Sequence, residues 1–101
     1  MPIVTVHYGR LSPRLHDTVP VALAEALGCP AQDVWVYGVE ADERKGCAFV
    51  TVRARDEARV AAGLAAVAGA VAAALEVPLQ DVWVHWMDLP PGRVFAGGAG
   101  R

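Results

Sequence analysis

The sequence contains little cysteine, and its cysteines form no recognisable pattern. Among 101 residues only Cys29 and Cys47 occur, in unrelated contexts and without CxxC spacing. No basic region followed by an apolar stretch precedes them, as a secretory leader would require. These absences argue against a disulfide framework, favour two free thiols and predict a cytoplasmic protein.

The positive and negative charges of the sequence nearly balance. Nine lysine and arginine residues stand against eleven acidic ones, which gives a formal net charge of -2. No basic cluster is interleaved with aromatic residues, so nucleic acid is not an expected partner. No His, Cys and acidic residues have metal-ligand spacing, and no Ser/His/Asp arrangement is visible. The sequence therefore predicts no metal and no other cofactor.

The longest uncharged segment, residues 60–75, is too short for a typical membrane span. It has 16 residues, mostly Ala and Gly, whereas a transmembrane helix needs about 20. The segment therefore predicts a buried helix, and no membrane is expected as a partner.

What the sequence does contain is an internal repeat. The segment LAEALGCPAQDVWV at 23–36 is similar to VAAALEVPLQDVWV at 71–84, and Val-Thr-Val at 4–6 recurs at 50–52. Each copy has β-branched residues typical of a strand, then a helical pattern, then a second strand. The chain is therefore built from two strand-helix-strand units.

The two units, at about 2–46 and 47–101, predict a single domain over 1–101. A strand-helix-strand crossover in one sheet makes its two strands parallel. We therefore expect an α/β fold, α+β in some schemes, in which a four-stranded sheet carries both helices on one face.

The boundaries follow from capping and stop signals. Strands are predicted at 3–8, 33–39, 47–55 and 82–87, and helices from Ser12-Pro13 to Leu27 and from Asp56 to Leu75. Ser12 and Asp56 are typical N-cap residues, and Gly28 is a typical helix stop. Pro20 predicts either a kink or a helix that is regular only after Thr18.

Alternation along the strands separates two sets of side chains. One set, Val4, Val6, Val50, Val52 and Ala54, is predicted to lie beneath the helices; the other is Ile3, Thr5, His7, Phe49, Thr51, Arg53 and Arg55. The second set is too apolar at Ile3 and Phe49 to be left in water. We therefore expect its burial between the subunits of a closed cyclic oligomer.

A proline follows the initiator methionine at the head of the first strand. If Met1 is removed, Pro2 presents a rigidly held secondary amine, which can serve as a general base or acid. An α-amine has an unperturbed pKa of about 8, and desolvation and neighbouring arginines would lower that pKa. With Met1 retained, the nitrogen of Pro2 is an amide without basicity, and the proline is then only a tolerated strand-edge residue.

Three arginines are candidates to bind the carboxylate of a small acid. Arg53 and Arg55 project from one side of the predicted strand, about 7 Å apart, and Arg10 follows the first strand. Guanidinium groups bind carboxylates bidentately and stabilise an adjacent enolate. The pattern predicts proton transfer next to the carbonyl of a 2-oxo acid; the alternative is a solvated strand end or a salt bridge between subunits.

These motifs resemble the tautomerase superfamily over nearly the whole chain. PIVTVHYGRLS at 2–12 is similar to the opening of the 4-oxalocrotonate tautomerase group, and RVFAGG at 93–98 to the family's C-terminal hairpin. Two units in one chain resemble the longer branch, which includes malonate semialdehyde decarboxylase and cis-3-chloroacrylic acid dehalogenase. The resemblance implies a cofactor-independent enzyme, a catalytic amino-terminal proline and a homotrimer.

The resemblance also implies further site residues. VTVRAR at 50–55 is similar to a strand of the decarboxylase that carries two arginines, and PAQD at 30–33 to the turn with its catalytic aspartate, here Asp33. VWVHWMDLPP at 82–91 resembles the dehalogenase, and His85 stands where that group has a water-activating tyrosine.

Three aromatic residues depart from the family pattern. Phe95 stands where the dehalogenase has an activating glutamate. Trp35 stands where short tautomerases have a strand-two arginine, and Trp83 has the matching position in the second half. We expect all three aromatic side chains to be core or interface residues first, and one of them to line a substrate pocket second. Asp33 and His85 have equally plain alternatives: a polar turn residue for Asp33, and a packed or surface strand histidine for His85.

Three functions follow from this reasoning. The first is tautomerisation of a small 2-oxo acid by Pro2. The second is a lyase reaction, decarboxylation or hydratase/dehalogenase-type chemistry, on a three-carbon acid. The third is a non-catalytic trimeric binding or assembly protein of the same fold.

Overall fold

The computed structural model describes residues 1–41, 46–93, 95–96 and 98–100. Its elements are β1 (Ile3–Tyr8), α1 (Arg14–Leu27), β2 (Trp35–Glu40), β3 (Gly46–Val52), α2 (Glu57–Leu75), β4 (Val82–Asp88), β5 (Phe95–Ala96) and β6 (Ala99–Gly100). Short 3-10 turns precede β2 and β4. The predicted strand-helix-strand repeat is confirmed.

The main sheet has the strand order β2-β1-β3-β4. Each crossover pair, β1 with β2 and β3 with β4, is parallel, and β1 pairs antiparallel with β3. The two helices pack against each other and against the sheet. The predicted four-stranded α+β fold with two helices is therefore confirmed.

The core lies between the helices and one face of the sheet. Val4, Val6, Val50 and Val52 are fully buried there, as alternation predicts. The prediction for Ala54 is wrong, because β3 ends at Val52 and Ala54 lies exposed in the following loop.

The helix boundaries differ little from those predicted. α1 begins at Arg14, whose N–H donates to the Ser12 hydroxyl at 3.2 Å. The helix is continuous through Pro20, so a helix that starts only after Thr18 is wrong. Gly28 ends α1 in the left-handed region, at a φ of 73°.

The second helix has the cap and the burial that the sequence predicts. The Asp56 carboxylate accepts the N–H of Arg59 at 2.8 Å. By length and composition α2 could cross a membrane, but it packs as a core helix, with Val67, Val71 and Leu75 buried.

Two glycines in α2 provide a matched test of this packing. A Cβ on Gly63 would lie 2.7 Å from the ring of Trp86, whereas one on Gly69 would meet nothing within 4 Å. We expect Gly69→Ala to raise the free energy of unfolding by about 1 kcal/mol through helix propensity. Gly63→Ala should lower it by about 1–3 kcal/mol through overpacking. Urea denaturation at fixed protein concentration measures both, and equal effects at the two positions would contradict the close helix-sheet contact.

Candidate active site

Pro2 lies at one end of the sheet, between β2 and β3. It is buried, and its carbonyl oxygen accepts the N–H of Trp35 at 3.0 Å. Extending the register of β1 and β3 by one residue sets Pro2 beside Val52, which itself faces Asp88 of β4. The amino end of the chain therefore lies at the same end of the sheet as the last residues of β3 and β4.

A cavity of about 480 Å³ opens at this same end of the sheet. It is lined by Arg53, Ala54, Asp88, Leu89, Pro90 and Pro91. Neighbouring strands lie about 4.8 Å apart, so two strand spacings, about 10 Å, separate Pro2 from Asp88. Arg53 directly follows Val52, the strand neighbour of Pro2. Arg53 and the cavity therefore lie at the same end of the sheet as Pro2.

Arg53 and Arg55 do not project from a strand, because β3 ends at Val52 and not at Arg55 as predicted. The N–H of Leu89 donates to the Val52 carbonyl at 2.7 Å, and the chain turns away after that bond. Arg53 Nη1 donates to the Leu89 carbonyl at 3.4 Å. Arg55 Nη1 folds back onto the carbonyls of Arg53 and Ala54, at 2.7 and 3.3 Å. Arg53 thus faces the cavity, while Arg55 holds the loop.

Asp33 lies at the same end of the sheet as the amino terminus. The predicted strand 33–39 is wrong at its start, since β2 is Trp35–Glu40 and Asp33 ends a 3-10 turn. The turn forms because the Asp33 N–H donates to the Pro30 carbonyl at 3.0 Å. Asp33 is exposed and lies two residues before Trp35, the β2 partner of Ile3, so it belongs to the same end of the sheet as the amino terminus.

The two aromatic candidates lie in different places. Trp35 is 45% exposed on the sheet face without helices, beside Ile3, so it can border a molecule at Pro2. Phe95 belongs to the β5–β6 hairpin and is 77% exposed. Residues 94 and 97 of the RVFAGG hairpin lie outside the described residues. A single chain therefore brings Trp35 to the neighbourhood of Pro2 and leaves the side chain of Phe95 largely exposed.

His85 lies on the face without helices, away from Pro2. It is level with Phe49 and three residues before Asp88, which places it about 10 Å along β4. It belongs to an aromatic cluster with ring-centroid distances of 5.5 Å to Trp83 and 6.0 Å to Phe49, and Phe49 lies 5.3 Å from His7. Within one chain the exposed His85 belongs to this aromatic cluster and does not join the Pro2 site.

Arg10 lies at the opposite end of β1. Five strand steps separate Ile3 from Tyr8, about 17 Å, and Arg10 follows beyond. It lines a second cavity of about 380 Å³ together with Ser12, Arg14 and Glu76. Arg10 can therefore contribute to a site at Pro2 only from a neighbouring copy of the chain.

Asp88 lines the Pro2 end of the sheet and was not predicted. Asp88 is the last residue of β4, and its exposed side chain lines the cavity together with Arg53. Two features of the sequence could have indicated Asp88. It stands directly before Leu-Pro-Pro at the end of β4, and the parallel neighbour β3 ends just before Arg53. In the part of the chain that the structure describes, no three His, Cys, Asp or Glu side chains are grouped to hold a metal.

Comparison with known proteins identifies the fold. No family model matches the sequence, and no curated protein matches it. A fused 4-OT, solved as an asymmetric trimer, is 22% identical, with a TM-score of 0.87 over 97% of this chain and 94% of its own. A member of the cis-3-chloroacrylic acid dehalogenase family is 17% identical, with a TM-score of 0.80 over 97% and 82%. Malonate semialdehyde decarboxylase is 20% identical, with a TM-score of 0.69 over 96% and 90%. The chain therefore has the fold that these three proteins share.

Proposed function

We propose that this chain is a cofactor-independent tautomerase that interconverts a small 2-oxo acid and its enol. The observation that carries the proposal is the position of Pro2. Its carbonyl is fixed by Trp35, and it lies at the sheet end where Arg53 borders a cavity. Solved structures of the same fold include proteins named as 4-OT, which supports this class of reaction.

The reaction needs one base and one cation. With Met1 removed, the amine of Pro2 takes a proton from the carbon beside the carbonyl. The electron pair of the broken C–H bond forms a C=C bond, and the carbonyl π pair moves onto oxygen, where a proton from water completes the enol. Arg53 binds the carboxylate and stabilises the enolate charge. In the reverse direction the protonated amine returns a proton to carbon.

The role of Arg53 is tested by Arg53→Ala. Loss of a charge-assisted hydrogen bond of about 1.5–3 kcal/mol should raise KM for a 2-oxo acid enol about 10- to 100-fold. Arg53→Lys keeps the positive charge but loses the bidentate guanidinium, so its KM should lie between those of the wild type and Arg53→Ala. Steady-state ketonisation followed by ultraviolet absorbance measures KM.

Arg59→Ala is the matched control for Arg53. The Arg59 Nη1 donates to the Leu27 carbonyl at 2.6 Å, on the helix side of the sheet. This variant should lower stability and leave KM unchanged. An equal rise of KM in both variants would contradict the assignment of Arg53.

We also propose that three copies form a closed homotrimer. The sheet face opposite the helices carries twelve side chains in three rows across the strands: Trp35, Ile3, Thr51 and Met87; Tyr37, Thr5, Phe49 and His85; Val39, His7, Cys47 and Trp83. This bare face is mostly apolar and contains no carboxylate, lysine or arginine. Trimeric fused 4-OT structures share the fold, which supports a second and a third copy as the cover. In such an assembly a neighbour can supply Arg10.

Decarboxylation is the second candidate, because the turn that carries Asp33 lies at the same end of the sheet as the amino terminus. A carboxylate beside the amine can assist loss of CO2 from a 3-oxo acid. Assays of CO2 release from malonate semialdehyde and of enol ketonisation distinguish the two reactions. CO2 release without ketonisation would replace the proposed tautomerase with the lyase.

A further inference from the structure

The cavity at the Pro2 end of the sheet is lined by two opposite charges that do not pair with each other. Arg53 and Asp88 both line it, yet Arg53 Nη1 is directed to the Leu89 carbonyl. Among the described residues no hydrogen bond or ion pair involves the Asp88 carboxylate. Each charge is therefore available to a bound molecule.

The rest of the lining is apolar. Ala54, Leu89, Pro90 and Pro91 make up the remaining wall. On the β2 side of Pro2 the neighbour is Trp35, and the guanidinium of Arg55 is engaged by backbone carbonyls. In one described chain, Arg53 is thus the cation that the cavity offers to a carboxylate.

The cavity should bind a monocarboxylate and a dicarboxylate with different affinities. A single carboxylate at Arg53 leaves an uncharged remainder of the molecule against Leu89 and the prolines. A second carboxylate would lie against Asp88, and two like charges at short range repel.

We propose that Asp88 is a specificity-determining residue that makes the site select monocarboxylic 2-oxo acids with an apolar remainder and reject dicarboxylates. The proposal rests on the proposed function for the reaction, but the binding preference follows from the cavity itself. Asp88 acts on the choice of ligand, since it lies two strands from the reacting amine.

The test measures binding of two unreactive ligands, 3-phenylpropanoate and adipate, by titration calorimetry on the full chain. The wild type should bind the monocarboxylate more tightly. Asp88→Asn should shift the ratio of the two dissociation constants about tenfold toward adipate, because a like charge is removed. Asp17→Asn, the same charge change in the first turn of α1, should leave the ratio unchanged.

Two results would overturn the proposal: a wild type that binds adipate more tightly or binds neither ligand, and an Asp88→Asn ratio equal to that of the wild type. Ketonisation of phenylenolpyruvate and 2-hydroxymuconate is measured in parallel. A shifted binding ratio without any ketonisation refutes the tautomerase and retains Asp88 as the selective residue. Ketonisation together with an unshifted binding ratio retains the tautomerase and refutes Asp88 as the selective residue.

Discussion

Replacing Pro2 by alanine is expected to lower kcat for ketonisation of phenylenolpyruvate by at least about 100-fold, the usual contribution of a positioned acid or base. Alanine keeps an amine, but it loses the ring that fixes the nitrogen at the head of β1. The Trp35 N–H still meets the carbonyl of residue 2, since that bond involves the backbone alone. KM should therefore change much less than kcat, because Arg53 still binds the carboxylate.

A chain with an uncleaved amino-terminal extension is the sharper companion to that variant. Its Pro2 keeps the ring but becomes an amide, which cannot take a proton at neutral pH. We expect no ketonisation from it, whereas a chain shown by intact mass to have lost one methionine residue should be active. Met1 is 55% exposed, so its removal uncovers little of the core. Equal rates for the extended and the processed chain would refute Pro2 as the base.

The elements of the fold could be predicted because their signals are local. Asp56 caps α2 through a neighbouring N–H, and Gly28 ends α1 in a conformation that glycine adopts readily. Burial of Val4 and Val50 follows from strand alternation alone. The repeat shows that each half of the chain is a strand-helix-strand unit, and a crossover of this kind makes the two strands of the unit parallel.

The site was less predictable because it depends on register and direction. Arg10 lies close to Pro2 in the sequence, but the extended β1 carries it to the opposite end of the sheet. The repeat aligns Trp35 with Trp83, yet the crossover from Ile3 to its partner Trp35 takes 32 residues and that from Phe49 to His85 takes 36. The longer α2 accompanies this shift, and the two tryptophans end at different heights on the bare face.

The loop after β3 shows the same limit. Alternation continued through Arg55 places both arginines on one side of a strand, but a strand persists only where a neighbour pairs with it. The last such bond joins Leu89 to Val52, so the loop geometry of Arg53 depends on where β4 ends. That end also brings Asp88 into the cavity, which no pattern within one strand predicts.

The second large effect is expected from Phe49→Lys on the bare face. Phe49 lies in the middle row, 37% exposed in one chain, with edge contacts to His7 and Trp83 at 5.3 and 6.2 Å. In a closed trimer this position is buried three times, and each copy contributes about 1.5–3 kcal/mol of apolar burial. A lysine there loses that burial and leaves a charge without a partner on a face that carries no carboxylate.

We therefore expect the wild type to sediment at three times the 10.6 kDa of one chain, and Phe49→Lys to sediment as a monomer. The monomer should stay folded, because Phe49 points away from the core that Val4 and Val50 form with the helices. Ala65→Lys, on the exposed side of α2, adds the same charge outside the bare face and should remain trimeric. A trimeric Phe49→Lys would show that this face is not the interface. Loss of ketonisation together with loss of the trimer would further indicate that a neighbouring copy completes the site, because Arg10 cannot reach Pro2 within its own chain.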